Sequence, residues 1–80
     1  MKYWNPIQVR CYAGYRGEES PRAFRFREQE YSVSCVLSAT NEQTMARQSI
    51  RRFRVLTTDH MEFALIQVVE GANWYVELEV

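Results

Sequence analysis

The sequence predicts an all-β domain of about six strands, an antiparallel meander curling into a small open barrel. Three observations predict it. Apolar residues alternate with polar ones at a period of two through most of the chain, the pattern of half-buried strands. Val, Tyr, Phe, Thr and Ser are plentiful, whereas Leu, Ala and Lys, which build small helical bundles, are scarce. The alternating runs are joined by short polar or glycine-bearing stretches with no strand–helix–strand rhythm, and consecutive strands usually lie side by side.

The first run is "IQVRC", where Ile7, Val9 and Cys11 share a face against Gln8 and Arg10, with Pro6 suited to the strand start. Tyr3 and Trp4 precede it with no clear place in the alternation, so they read as core cover or as anchors for a partner. "VRCYAGYRGEESPRAF" follows, with Gly14 and Gly17 three apart and then Pro21. Glycines admit positive φ and proline fixes its own, so the stretch reads as a corner between strands. The competing reading is an anion site using Arg16 and Arg22, although Glu18 and Glu19 would repel a phosphate. Gly14-Tyr15-Arg16-Gly17 has the form of a nucleic-acid-clamping G-x-x-G but lacks the flanking helices that motif needs.

"RAFRFRE" alternates Phe24 and Phe26 with Arg25 and Arg27, and Glu28, Gln29 and Glu30 supply a polar turn. In "EYSVSCVL", Tyr31, Val33, Cys35 and Leu37 share the inward face. "SATNEQTMARQSIRR" breaks the pattern. Thr40 with Gln43 resembles a capping box, predicting a short helix within residues 40–48, with a long loop over 38–49 as the alternative. "RFRVLT" sets Phe53 and Val55 against Arg52 and Arg54, and Asp59 and His60 lie in a hairpin turn. "MEFALIQVV" is apolar on both faces, which predicts a central strand. "WYVELEV" closes the chain, with Trp74, Val76, Leu78 and Val80 inward and Tyr75, Glu77 and Glu79 outward.

Eighty residues make one domain over 1–80. No apolar run reaches the roughly 20 residues that span a bilayer, and the N-terminus lacks a secretory apolar core, so a cytoplasmic, non-membrane protein is expected. Cys11 and Cys35 then read as reduced, buried and inert. Two isolated cysteines and the single His60 do not compose a metal site, and no cofactor is expected.

"VRCYAGYRGEESPRAF", "YSVSCVL", "RRFRVLTTD" and "WYVELEV" together resemble a family of short bacterial proteins of uncharacterised function. The likeness covers most of the chain, with His60 standing where that pattern has a turn glycine and residues 38–49 differing from its link. It implies a small bacterial β domain and carries no activity.

Net charge is zero but segregated: residues 1–27 hold six cations, 47–54 hold Arg47, Arg51, Arg52 and Arg54, and from 55 onward there are five acids and no cation. Arg-rich strands lying beside Glu-rich ones account for this better than a basic face. If the strands bearing Arg25, Arg27, Arg52 and Arg54 lay together they would form a stripe for phosphates, with Tyr12, Tyr15 and Tyr75 for stacking. Adjacent Asp59 and His60 do not form a triad, and no paired carboxylates or base-activated nucleophile argue for an enzyme. The leading expectation is a non-catalytic module that binds a protein or itself, with Tyr3 and Trp4 as candidate contacts. The alternative is a nucleic-acid-binding module.

Overall fold

In the computed structural model, which describes residues 1–13, 19–71 and 73–80, six strands follow one another around a closed barrel. They are β1 (Lys2–Ala13), β2 (Glu19–Phe26), β3 (Gln29–Gln43), β4 (Ser49–Thr57), β5 (Glu62–Val68) and β6 (Asn73–Glu79). Every neighbour pair is antiparallel. The six-stranded meander is as the alternation predicts, but the barrel is shut rather than open. Two long strands shut it. The first half of β1 pairs with β6, from Lys2↔Glu79 to Ile7↔Trp74, and its second half pairs with β2. Likewise β3 pairs with β2 over its first four residues and with β4 from Val33 to Gln43. Pro6 therefore lies inside β1, opposite Tyr75, and the strand starts at Lys2, ahead of the expected start.

The interior is aromatic. Phe24, Phe26, Phe53, Val55, Leu65, Trp74 and Val76 form the buried core, with Ile7, Val9, Tyr31, Val33 and Phe63 packed against it. Phe63 meets Phe24 edge-on with ring centres 5.1 Å apart and lies 5.0 Å from Tyr31. Such offset geometry keeps the negative ring faces apart, and these large rings fill a barrel this small. β5 pairs with β4 and β6, and since every strand of a closed ring has two neighbours, none is central; its two apolar faces serve two separate clusters instead. Leu65 points into the barrel, while Ile66 and Val68 join Ile50 in a second buried cluster on the outside, roofed by Trp4 and Tyr75.

Two of the hairpins stand where short turns are expected, and a third replaces the expected helix or long loop. Residues 40–48 hold neither helix nor long loop, because β3 runs to Gln43 and pairs with Ser49. Thr44 instead starts a tight tip. Its N–H donates to the Gln48 carbonyl (2.9 Å), its hydroxyl accepts from the Gln48 N–H (3.1 Å), and Arg47 has φ 62°. The β4–β5 hairpin repeats this geometry. Thr57 N–H donates to the Met61 carbonyl (2.8 Å), its hydroxyl accepts from Met61 N–H (3.0 Å), and His60 has φ 66°. Left-handed φ at the third loop residue is the usual closure of such loops. The β2–β3 turn is Arg27-Glu28, with φ 52° and 63°, starting one residue before the expected Glu28–Glu30 and one residue shorter. Between β5 and β6, Gly71 takes φ 89°, a conformation only glycine adopts freely.

Candidate interaction surface

The outer face of the larger sheet collects charges from five strands. In register, Arg52 of β4 stands beside Ile66 of β5 and then Tyr75 of β6, while Arg54 stands beside Ala64 and then Glu77. Small Ala64 leaves room above β5, and Arg52 reaches diagonally across it to Glu77, donating from Nη1 to Oε1 at 2.6 Å. Its Nε donates to Glu42 Oε2 of β3 at 2.8 Å, and the Thr40 hydroxyl donates to that same oxygen. Trp4 Nε1 donates to the other Glu77 oxygen at 3.0 Å, and Lys2 Nζ lies 3.9 Å from Glu77. Arg54 pairs with Glu62 across β4 and β5.

Glu77 is the hub, with only 11% of its side chain exposed against 26% for Arg52. Burial pushes its carboxyl pKa up, but the hydrogen bonds from Arg52 and Trp4 outweigh that and hold it below the ordinary glutamate value. The Arg52 and Thr40 hydrogen bonds also hold Glu42 low, and Arg52 is raised by its bond to Glu77 against the opposing effect of burial. A groove of about 560 Å³ runs over these groups. It is lined by both signs of charge already paired, so it offers no unbalanced field for a phosphate.

The other arginines do not join this face. β3 lies between β2 and β4, so Arg25 and Arg27 form no stripe with Arg52 and Arg54. Arg27 is in the turn rather than on the strand, its guanidinium 4.8 Å from the centre of the Phe26 ring. Arg25 is exposed, in register with Gln8 and Glu30. Arg22 is the residue left over where the β1–β2 register shifts, and with Arg10 it lines a groove of about 260 Å³ beside Ser32 and Val33. Arg10 itself pairs with Glu30 at 2.9 Å. Tyr15 and Arg16 of the corner lie outside the described residues, as does the placement of Gly14 and Gly17. Tyr12 is described in its backbone only. Trp4 serves as cover, 5.8 Å from the Tyr75 ring, while Tyr3 is 41% exposed.

β3 carries the feature that alternation missed. The β3–β4 register shifts twice, between Val33 and Cys35 and between Val36 and Ser38, leaving Ser34 and Leu37 as extra residues. A bulge turns the following side chain to the other face. Cys35 consequently sits opposite Leu56 and is exposed, contrary to its expected inward place, while Cys11 is half-buried. Leu37, also expected inward, is 46% exposed and Val36 37%. On the side away from β4, no strand among the described residues pairs with β3 over Val33–Gln43. That edge holds no Lys, Arg or Pro and one charge, Glu42.

Among the described residues no three His, Cys, Asp or Glu side chains stand close enough to hold a metal ion. Asp59 and His60 are both exposed, and the Asp59 carboxylate accepts from the Thr57 hydroxyl. No family model, curated protein or solved structure matches the chain.

Proposed function

We propose that the chain is a non-catalytic interaction module whose β3 edge takes up a strand of another protein chain. The observation that carries this is the side of Val33–Gln43 that no strand among the described residues pairs, with Val36 and Leu37 exposed along it. An open edge presents alternate N–H and C=O groups, and an added strand satisfies them while side-chain pockets give selectivity. Folded domains usually blunt such an edge with Lys or Pro, and β3 carries neither. The bulge at Leu37 turns an aliphatic side chain outward at the middle of the edge, where a partner strand would cover it.

Nucleic-acid binding through the arginine rows is less well supported. Arg52 and Arg54 already hold Glu42, Glu77 and Glu62, so a phosphate would have to displace carboxylates at hydrogen-bond distance. Two parallel measurements separate the readings. Immobilised chain and its Leu37→Lys variant are exposed to a lysate of the source cells, and labelled single-stranded DNA and RNA are titrated at low and moderate salt. The expected result is a protein retained by the parent chain and lost by the variant, with no salt-sensitive anisotropy change. Nucleic-acid binding that falls steeply with salt and is abolished by Arg52→Glu would overturn the proposal.

A further inference from the structure

We propose that the outer face of the smaller sheet, built by the second half of β1, by β2 and by the start of β3, docks an acidic segment of another polypeptide. This surface goes beyond the β3 edge and does not depend on it. Val9, Phe24 and Tyr31 point into the core, so their neighbours point out: Gln8, Arg25 and Glu30 form one row across the three strands, and Arg10, Ala23 and Ser32 the next. The two outer faces of the barrel differ in how their charges are met. On the larger sheet Lys2, Arg52 and Arg54 all stand in ion pairs with Glu42, Glu62 or Glu77. On the smaller sheet Arg10, Arg22, Arg25 and Arg27 line the grooves, and Glu28 and Glu30 are the acids among the described side chains there, so four cations meet two acids.

Arg25 is the centre of this surface. It is exposed and pairs with no carboxylate among the described residues, because Glu30, its neighbour in register, binds Arg10 at 2.9 Å instead. Arg27 lies over the Phe26 ring at 4.8 Å, which keeps the N–H donors at the rim of its guanidinium for an incoming acid. The Arg10–Glu30 pair is exposed on both sides, 71% and 65%, and such pairs hold weakly and exchange partners readily. The shape suits an extended chain. Grooves of about 260, 200 and 320 Å³ adjoin across the face, with Arg10 and Ala23 bordering the first two and Gln8 and Arg25 the last two. From Arg22 to Arg27 the track is about 15 Å long, the reach of about five extended residues. Acids at alternate positions of such a chain stand about 7 Å apart on one side of it, so each can meet a separate guanidinium fork. A peptide can also place uncharged residues opposite Glu28 and Glu30, whereas a nucleic acid brings a phosphate at every step. Phe24, the aromatic bordering these grooves, is 2% exposed and offers no ring for a base to stack on.

Fluorescence anisotropy tests this with a labelled peptide of alternating glutamate and serine, about seven residues long. The parent chain is expected to bind it in the micromolar to millimolar range at about 20 mM salt, and more weakly at about 150 mM. Arg25→Glu is expected to weaken binding at least about fivefold, and Arg54→Glu, the same charge change on the larger sheet, less than about twofold. Arg25 is exposed, so the variant should melt as the parent does. Should it fail to fold, amide shifts of the parent decide, with those of Gln8, Arg25 and Glu30 moving as peptide is added and those of Arg52 and Ile66 staying in place. Absence of binding at the lower salt, an equal loss in both variants, or shifts confined to the larger sheet overturns the proposal. An oligothymidylate of similar length that binds more tightly than the peptide, and loses its binding in Arg25→Glu, makes the face a nucleic-acid surface and overturns it as well.

Discussion

Glu77 shows how one side chain ties distant parts of this chain together. Its carboxylate accepts from Trp4, 73 positions away, and from Arg52, 25 positions away. Three strands are joined in a site that is mostly covered. Period-two alternation correctly places Glu77 outward with Tyr75, yet nothing local marks it as a hub, since its partners come from β1 and β4. The lowered pKa makes stability depend on pH. Below the ordinary value near 4.5 the unfolded chain binds protons that folded Glu77 and Glu42 resist. Their contribution is therefore complete above that value and is lost as pH falls through the lowered folded values. Melting temperature should drop from about pH 5 to about pH 3, and Glu77→Gln should flatten that drop while costing about 1–2 kcal/mol at neutral pH. Melts across the range check both. An equally steep acid drop in the variant would assign the dependence to other groups.

At the scale of elements, the hairpins carry a device that the sequence shows only in retrospect. Thr44 and Thr57 each open a hairpin tip with the same pair of bonds to the fourth residue on, and Arg47 and His60 take the left-handed third position. In the sequence, Thr40 and Gln43 read as a helix start because a capping box and a polar β-hairpin arm share residue types. The outcome is decided by pairing of Thr40–Gln43 with Ser49–Arg52, a contact that local propensity does not contain. A non-glycine residue in the left-handed region costs about 1 kcal/mol or more. Arg47→Gly and Glu28→Gly are therefore each expected to stabilise the fold by about 0.5–1 kcal/mol after glycine's larger chain entropy is allowed for, as urea denaturation would show. The bulges in β3 are the other hidden element. Each inserts one residue and reverses the face of all that follow, which is why Cys35 and Leu37 left the positions that parity assigned them.

At the scale of the molecule, closure of the ring concentrates stability in a small aromatic interior. Leu65 is wholly buried at its centre and packs within the cluster of Phe53, Val55 and Val76. Leu65→Ala should cost about 3 kcal/mol, a large share of what a domain of this size possesses, and should lower the urea midpoint accordingly. An effect below about 1 kcal/mol would mean that the interior collapses around the lost atoms.

The sequence by itself determined most of the strands, their order and most of their inward faces, including the two buried faces of β5. It could do so because side-chain alternation and turn composition are properties of short stretches. Only the tertiary structure decided that β1 and β6 meet, that Arg52 finds Glu77 across Ala64, that β3 keeps β2 apart from β4, and that no strand among the described residues pairs with the far side of Val33–Gln43. Those features depend on register and on bulges, and one inserted residue in a ladder is energetically small yet redirects every side chain beyond it.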